Sequence, residues 1–557
     1  MQRATRQDAI VRQRSLFSKR RFLRSTIVSL TVVTLLLSIA GGAYAQTLHS
    51  RIGAAASNTA VTTYKGNNFR TGDYPNETIL NTSNVNATQF GSRVSYPVDG
   101  QVYAQPLYVP NLTINGSTHN IVFVETEHDS AYAFDADQRG SAIAPLWQRS
   151  FIDPATGITS VPSSAVGCGD ITPEYGITGT PVINSRIHTM YVVVNTLENG
   201  ANIYRLHALD IRTGADKAGS PVVITAKLKG AGAGNVNGVI AFDPVREHQR
   251  GSLLLLNGTV YVTFGSHCDN DNYHGWIISY NAATLKRSRM YNDSRDGTRA
   301  GIWGSGEGLS ADTHGKIYFM TGNGTFDLNK GGRDAGDSIV KLSSTLTRES
   351  YFTPFNQSCL ERDDADLGSG GVLLLPNRNE LIGIGKEGRI YVTSRSSLGG
   401  YNTIAGDPCS NQGLTNVDKV LQELPPGTAA GGIWSTPAYW SGPTGEFVYT
   451  IGTADTVKAF KLNKGLLNST PSSASPESFG YPGGNPVVSS NGATAGTGIL
   501  WTIDPRGVLR AYDATNLATE LFSGNLPSYV KFSVPTVANG EVFVGTRGSL
   551  EIYGLLN

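Results

Sequence analysis

Ala131-Tyr132-Ala133-Phe134-Asp135-Ala136 and Leu206-His207-Ala208-Leu209-Asp210-Ile211 are two copies of one short pattern, a run of alternating residues that ends in a turn. The pattern returns as Ile278-Ser279-Tyr280-Asn281-Ala282, Ile339-Val340-Lys341-Leu342-Ser343 and Ile390-Tyr391-Val392-Thr393-Ser394. Three more copies follow: Val457-Lys458-Ala459-Phe460-Lys461, Leu509-Arg510-Ala511-Tyr512-Asp513 and Leu550-Glu551-Ile552-Tyr553. A unit repeated eight times decides the architecture before any single residue does.

Working outward, each copy follows a second strand-like run, such as Thr259-Val260-Tyr261-Val262, Lys316-Ile317-Tyr318-Phe319 or Glu541-Val542-Phe543-Val544. Several of these begin after a Gly or Asn-Gly turn, the punctuation expected of a hairpin. Further upstream lies a Pro-led strand, as in Gln105-Pro106-Leu107, Thr180-Pro181-Val182, Thr436-Pro437-Ala438, Asn485-Pro486-Val487 and Val534-Pro535-Thr536. Proline is tolerated at the first residue of a strand, where its missing N–H breaks no ladder bond. Each unit therefore supplies about four strands, the content of one propeller blade. One blade cannot bury both of its faces; eight stacked in a ring can, and a ring leaves no long open edge. The sequence predicts an all-β fold, an eight-bladed β-propeller of four-stranded antiparallel blades over 46–557. Residues 60–125 are expected to supply a strand that closes the ring against the last blade. The Ser/Pro-rich stretch 469–478 reads as a loop.

The composition agrees. Gly counts 65 and Tyr 24, whereas charged residues are only 16%. That profile suits short strands joined by turns. Eight of the 45 basic residues lie in the first 24 positions, against one acid, Asp8, so the remainder is mildly acidic. No basic stripe marks a nucleic-acid footprint. The basic start precedes an apolar run over 26–40 and the small-residue site Ala43-Tyr44-Ala45. Residues 1–45 thus read as a secretory signal, with Gln46 opening the mature chain and no membrane attachment after cleavage. Ser18-Lys19-Arg20-Arg21-Phe22-Leu23-Arg24 resembles a twin-arginine export signal with Lys in the first Arg position. An exported chain is placed in the periplasm or outside the cell, where disulfides form. Cys168, Cys268, Cys359 and Cys409 allow three pairings. Cys168–Cys268 with Cys359–Cys409 is favoured, because each bond would link neighbouring repeats.

Thr63-Tyr64-Lys65-Gly66-Asn67-Asn68 and Asn81-Thr82-Ser83-Asn84-Val85 resemble the opening of the quinoprotein alcohol dehydrogenases. The resemblance implies an eight-bladed propeller that holds pyrroloquinoline quinone (PQQ) and calcium. Trp303-Gly304 followed by Thr321-Gly322-Asn323-Gly324 resembles the family's segment with a Trp under the quinone and a calcium-ligating Asn. Asp364-Ala365-Asp366 falls where that family has its catalytic Asp. Gly385-Lys386-Glu387-Gly388 resembles the segment whose basic residue bonds the quinone oxygens. The resemblance thus implies catalytic roles for Asp364 and Asp366, cofactor contacts from Trp303 and Lys386, and metal contacts from Asn323 and Asn270. The chemistry needs these types: a flat ring to stack on, oxygen ligands for calcium, and a carboxylate to take an alcohol proton.

The departures are as informative. The family's adjacent Cys pair is absent, and Gly167-Cys168-Gly169-Asp170 stands near its place. The family's ligand Glu gives way to Cys268-Asp269-Asn270-Asp271, and its Glu in the first blade to Tyr103. Each candidate also has a plainer role. Trp303 can pack between blades, Asn323-Gly324 is a turn signal, Glu361–Asp366 is a charge run of the solvated kind, and Lys386 can be exposed. His128, His267 and His274 lie in turns that could line the same mouth. Two functions follow: a PQQ- and calcium-dependent oxidoreductase for a small alcohol or sugar, or a non-catalytic propeller binding a ligand or protein. The motifs of serine hydrolases, zinc proteases and phosphate-binding loops are missing.

Overall fold

The computed structural model describes residues 59–139, 144–270 and 272–556. The export segment expected over residues 1–45 lies outside them. The described residues form eight antiparallel blades in chain order. Their inner strands begin at Leu107, Val182, Leu254, Ser310, Leu373, Ala438, Val487 and Thr536. All eight copies of the repeated pattern are third strands, from Ser130–Asp135 in blade 1 to Ser549–Leu555 in blade 8. The Pro-led runs are the inner strands of blades 1, 2, 6, 7 and 8. Among the described residues the one α-helix is Gln357–Arg362, and no helix is long and apolar enough to cross a membrane.

Alternation explains the ring. In the blade 3 strand Thr259–Ser266, Val260, Val262 and Phe264 pack against blade 2, while Tyr261 packs against blade 4. Seven apolar clusters cover the eight junctions, the largest joining blades 7, 8 and 1 around Trp501, Phe543, Tyr108 and Phe90. Successive side chains on a strand face opposite ways, so a fully apolar strand needs a neighbour on both sides. Closure comes from the N-terminal side, as expected: Phe90–Pro97 is the outer strand of blade 8, antiparallel to Ser549–Leu555.

Two features depart from the sequence reading. The Ser/Pro-rich stretch carries a strand, Ser473–Phe479, paired with Asp455–Asn463. A partner edge overrode its weak local preference, as tertiary context commonly does in sheets. The second is a strap. Residues 61–77 run around the inner edges of the blades in ring order. Val61 exchanges bonds with Tyr108 (2.8 and 2.9 Å), and Ile183 donates to Thr62 O. Asn68 Nδ2 donates to Leu255 O, and Ala311, Leu374, Tyr439 and Val488 donate to the carbonyls of Asn68, Phe69, Thr71 and Gly72. Gly540 N–H ends the circuit on Glu77 Oε2. Each blade receives at least one such bond. Inner strands otherwise present unpaired backbone groups to the axis, and leaving such groups buried and unmet costs about 1–3 kcal/mol each.

Both expected disulfides are present, Cys168–Cys268 and Cys359–Cys409, and among the described residues no cysteine is free. The first ties the segment entering blade 2 to the turn between the second and third strands of blade 3. The second ties the helix Gln357–Arg362 to the long loop of blade 5.

Candidate active site

Seven connections between blades converge on one cavity of about 180 Å³. Asp170 enters from the connection into blade 2, Arg250 from that into blade 3 and Trp303 from that into blade 4. Asp366, Trp434 and Tyr481 come from the next three, and Lys531-Phe532 from the connection into blade 8. Ser266, Cys268 and Asp269 from the blade 3 turn, and Lys386 from the blade 5 turn, complete the wall. A cavity walled by seven successive blade connections lies on the ring axis.

Asp366 is the centre of this site. Its side chain is 8% exposed and its Oδ2 lies 2.5 Å from Lys386 Nζ. Asn323 N–H donates to Oδ1 at 2.7 Å. The Lys386 N–H donates to the Asp366 carbonyl at 2.9 Å, so one turn fixes both the backbone and the carboxylate. Burial pushes the Asp366 carboxyl up to about 6, even though Lys386 and the Asn323 N–H pull it down. Lys386 is raised: Asp366 and Asp364 together outweigh its burial. The close approach needs Gly322, because a Cβ there would stand 2.4 Å from Asp366 Oδ1 and 3.2 Å from Trp303 Nε1.

Asp364, the other half of the expected pair, does not line the cavity. Its side chain is 72% exposed, and its Oδ1 accepts from Lys386 Nζ (3.0 Å) and Asn323 Nδ2 (2.8 Å). It orients those two groups from outside. Asn323 itself is buried. With Nδ2 committed to Asp364, its Oδ1 has no hydrogen-bond donor among the described residues. Asn270 lies apart, its amide donating to the Val166 and Gly167 carbonyls (3.3 and 3.2 Å) beside the Cys168–Cys268 bond. Its neighbour Asp269 faces the cavity, held by Ser266 Oγ at 2.7 Å.

None of the three histidines lines the cavity. His128 bonds Glu174 (2.8 Å), His274 is buried between Ser294 and Ala233, and His267 stacks on His248 at 4.5 Å. Burial, with the charge of Arg250, holds His267 down at about 3, so it is neutral.

The opposite wall was not singled out by motif. Arg250 pairs with Asp170 at 2.5 Å, and Lys531 pairs with the other oxygen of Asp170. The Arg250 guanidinium stands over Phe532 (5.2 Å) and Tyr103 (5.9 Å). Trp434 meets Tyr481 edge-on at 5.3 Å. A positional signal was available for three of them. Trp434, Tyr481 and Phe532 stand two to four residues ahead of Thr436-Pro437, Asn485-Pro486 and Val534-Pro535, where the chain turns into an inner strand at the axis.

Among solved structures, the chain is similar to the quinohemoprotein alcohol dehydrogenase ADHIIG from Pseudomonas putida HK5. The identity is 14% and the TM-score 0.59, over 90% of this chain and 80% of that one. The quinohemoprotein alcohol dehydrogenase from Comamonas testosteroni matches at 14% identity and TM-score 0.58, over 90% of this chain and 81% of that one. A europium-containing methanol dehydrogenase matches at 14% and 0.57, over 89% and 98% of the two chains. These enzymes and this chain share one fold, the β-propeller. No family model and no curated protein matches it.

The residues present fit a quinone and a cation in specific respects. Among the described residues nothing donates to the buried carbonyl oxygen Asn323 Oδ1, and the Asn323 N–H bonds the Asp366 carboxylate. Amide and carboxylate oxygens are the ligand types a hard divalent cation takes. Trp303 brings a flat ring to the same cavity, and Lys386 a donor.

Proposed function

We propose that this chain is an exported oxidoreductase of the quinoprotein type, acting on a hydroxyl group of a small alcohol or sugar. The observation that supports it is that Asp366, Lys386 and Trp303 line one axial cavity with Asn323 bonded to Asp366, four residues drawn from two connections and two turns. Asn323 Oδ1 and Asp366 would hold calcium, and Trp303 and Lys386 would hold PQQ. When bound, the quinone supplies the acceptor for the hydride of the carbinol carbon. Asp366 takes the hydroxyl proton on its carboxylate. A base with a pKa near 6 is ionised at neutral pH yet basic enough to share a proton in the transition state. Lys386 keeps Asp366 ionised and points its carboxylate. Trp434, Tyr481 and Phe532 narrow the cavity.

In the same reading residues 1–45 are removed on export, so that the mature protein begins at Gln46, and 46–557 form one propeller domain. N-terminal sequencing of the exported protein checks the first of these.

The central test titrates the purified protein with PQQ and Ca²⁺ while following tryptophan fluorescence, then measures dye reduction with a panel of alcohols and sugars. Saturable quenching and calcium-dependent dye reduction are expected. Absence of both sinks the proposal. One observation favours the non-catalytic alternative: Asp170 and Asp366 already have cations of their own. Ligand binding without turnover in the same panel would select it.

A further inference from the structure

The cavity has two walls of opposite bias. On one, Asp366 and Asp269 face a single cation, Lys386. On the other, two cations, Arg250 and Lys531, share a single carboxylate, Asp170. The histidines behind the second wall do not alter that count. His248 is held well below its usual range and His267 at about 3, by burial and by neighbouring positive charge, so both are neutral.

Asp170 is not the sole contact of Arg250. The Arg250 side chain is 7% exposed and stands over the rings of Phe532 and Tyr103. Lys531 Nζ also lies over Phe532, at 5.3 Å. Asp170 differs: at 34% it is the most exposed of the three. Two largely buried cations around one carboxylate that is open to solvent form a receptor whose occupant can exchange. Arginine in particular is shaped to take a carboxylate through two parallel bonds.

We propose that Arg250 and Lys531 form a carboxylate-binding subsite, that Asp170 is an internal carboxylate which the ligand displaces, and that the substrate is a small hydroxy acid. Its carboxylate sits on Arg250 and Lys531 while its hydroxyl meets Asp366 across the cavity. The last part rests on the oxidoreductase reading; the subsite does not. PQQ also carries carboxylates, so the experiment separates the two sources.

The experiment is calorimetric titration of the full-length protein with gluconate and, as the uncharged match, glucose. Gluconate is expected to bind at least about tenfold tighter than glucose, the worth of one charge-assisted bond. Arg250→Met and Lys531→Met should each lose about tenfold for gluconate and leave glucose unchanged. Lys531, the more exposed cation, serves if Arg250→Met fails to fold. Asp170→Asn is the sharper arm. Removing the internal competitor should tighten gluconate binding about tenfold, whereas a merely structural ion pair predicts no change or weakening. Equal affinity for gluconate and glucose, with no gain in Asp170→Asn, overturns the subsite. If PQQ quenching is weakened by Arg250→Met while gluconate binding is not, the cations serve the cofactor and the hydroxy-acid assignment falls. If gluconate behaves as expected but PQQ never binds, the subsite stands and the quinoprotein reading falls alone.

Discussion

The axial cavity and the junction between blades 1 and 2 both bury carboxylates, but they treat them differently. In the cavity, Asp170 touches two cations and Asp366 one. At the end of the second strand of blade 1, Glu125 and Asp129 are fully buried and form no ion pair among the described residues. Ionisation follows the partners. Burial pushes Asp170 upward, yet Arg250 and Lys531 hold it below the usual carboxylate range. Asp366, with one lysine, stands at about 6. Glu125, with none, is driven by burial to about 8, and Asp129 well above its usual range by burial and by Glu127. Burial alone therefore does not mark a reactive carboxylate. What sets Asp366 apart from Glu125 and Asp129 is burial offset by one cation, and from other carboxylates of that kind its place on the axial cavity, which suits the base role proposed for it.

The largest expected effect breaks the active member of the series. Asp366→Asn keeps the shape and removes the base, so turnover should fall by about 10²- to 10⁴-fold with the melting temperature preserved. Wild-type kcat/KM should rise with pH through a limb at or below about pH 6, since the base works ionised and a bound cation can only lower it further. Lys386→Met then moves Asp366 toward the state of Glu125. The acid limb should shift upward by roughly 1–2 pH units, each unit being about 1.4 kcal/mol of lost charge stabilisation. A limb that does not move would remove Asp366 from the role assigned to it.

The next effect concerns stability. Glu125 has a folded pKa above its unfolded value, so its contribution is fully present below about pH 4.5 and is lost as pH rises toward 8. At pH 7 that loss is roughly 3 kcal/mol. Glu125→Gln, which cannot ionise, should therefore raise the melting temperature at pH 8 and leave it near wild type at pH 5. Equal shifts at both pH values would mean that an unseen partner compensates the charge.

How much of this could be read beforehand follows from which interactions are local. The blades were legible because alternation, Gly turns and inner-strand prolines are written within ten residues of one another. The strap over 61–77 was not, because its partners, from Tyr108 to Gly540, lie along the whole chain and impose no side-chain period. The strand Ser473–Phe479 was hidden by its Ser and Pro content, which only its pairing partner outweighs. At the site, Trp303, Asp366 and Lys386 came from resemblance. Arg250, Lys531 and Asp170 carry no motif, since an ion triad assembled from three connections has no spacing to recognise. Asn270 and Asp269 are adjacent, and only the turned backbone decides which of them faces the cavity.

The smallest effect completes the series, because the most strongly paired carboxylate should matter least to stability. Asp170 has a lowered pKa, so its contribution is present above about pH 4 and is lost as pH falls below that. About a third of its side chain is open to solvent. Water screens such a pair, and partly exposed ion pairs contribute about 0–1 kcal/mol. Asp170→Asn should thus shift the melting temperature at pH 7 by at most a few degrees. The cost of keeping Arg250 buried is met instead by Phe532 and Tyr103, whose ring faces attract the guanidinium. Phe532→Leu should accordingly destabilise the fold more than Asp170→Asn does, as thermal melts of the two variants side by side will measure. If Asp170→Asn were the more damaging, the carboxylate would be a structural counter-ion, and the cavity's second wall would lose its claim to be a receptor.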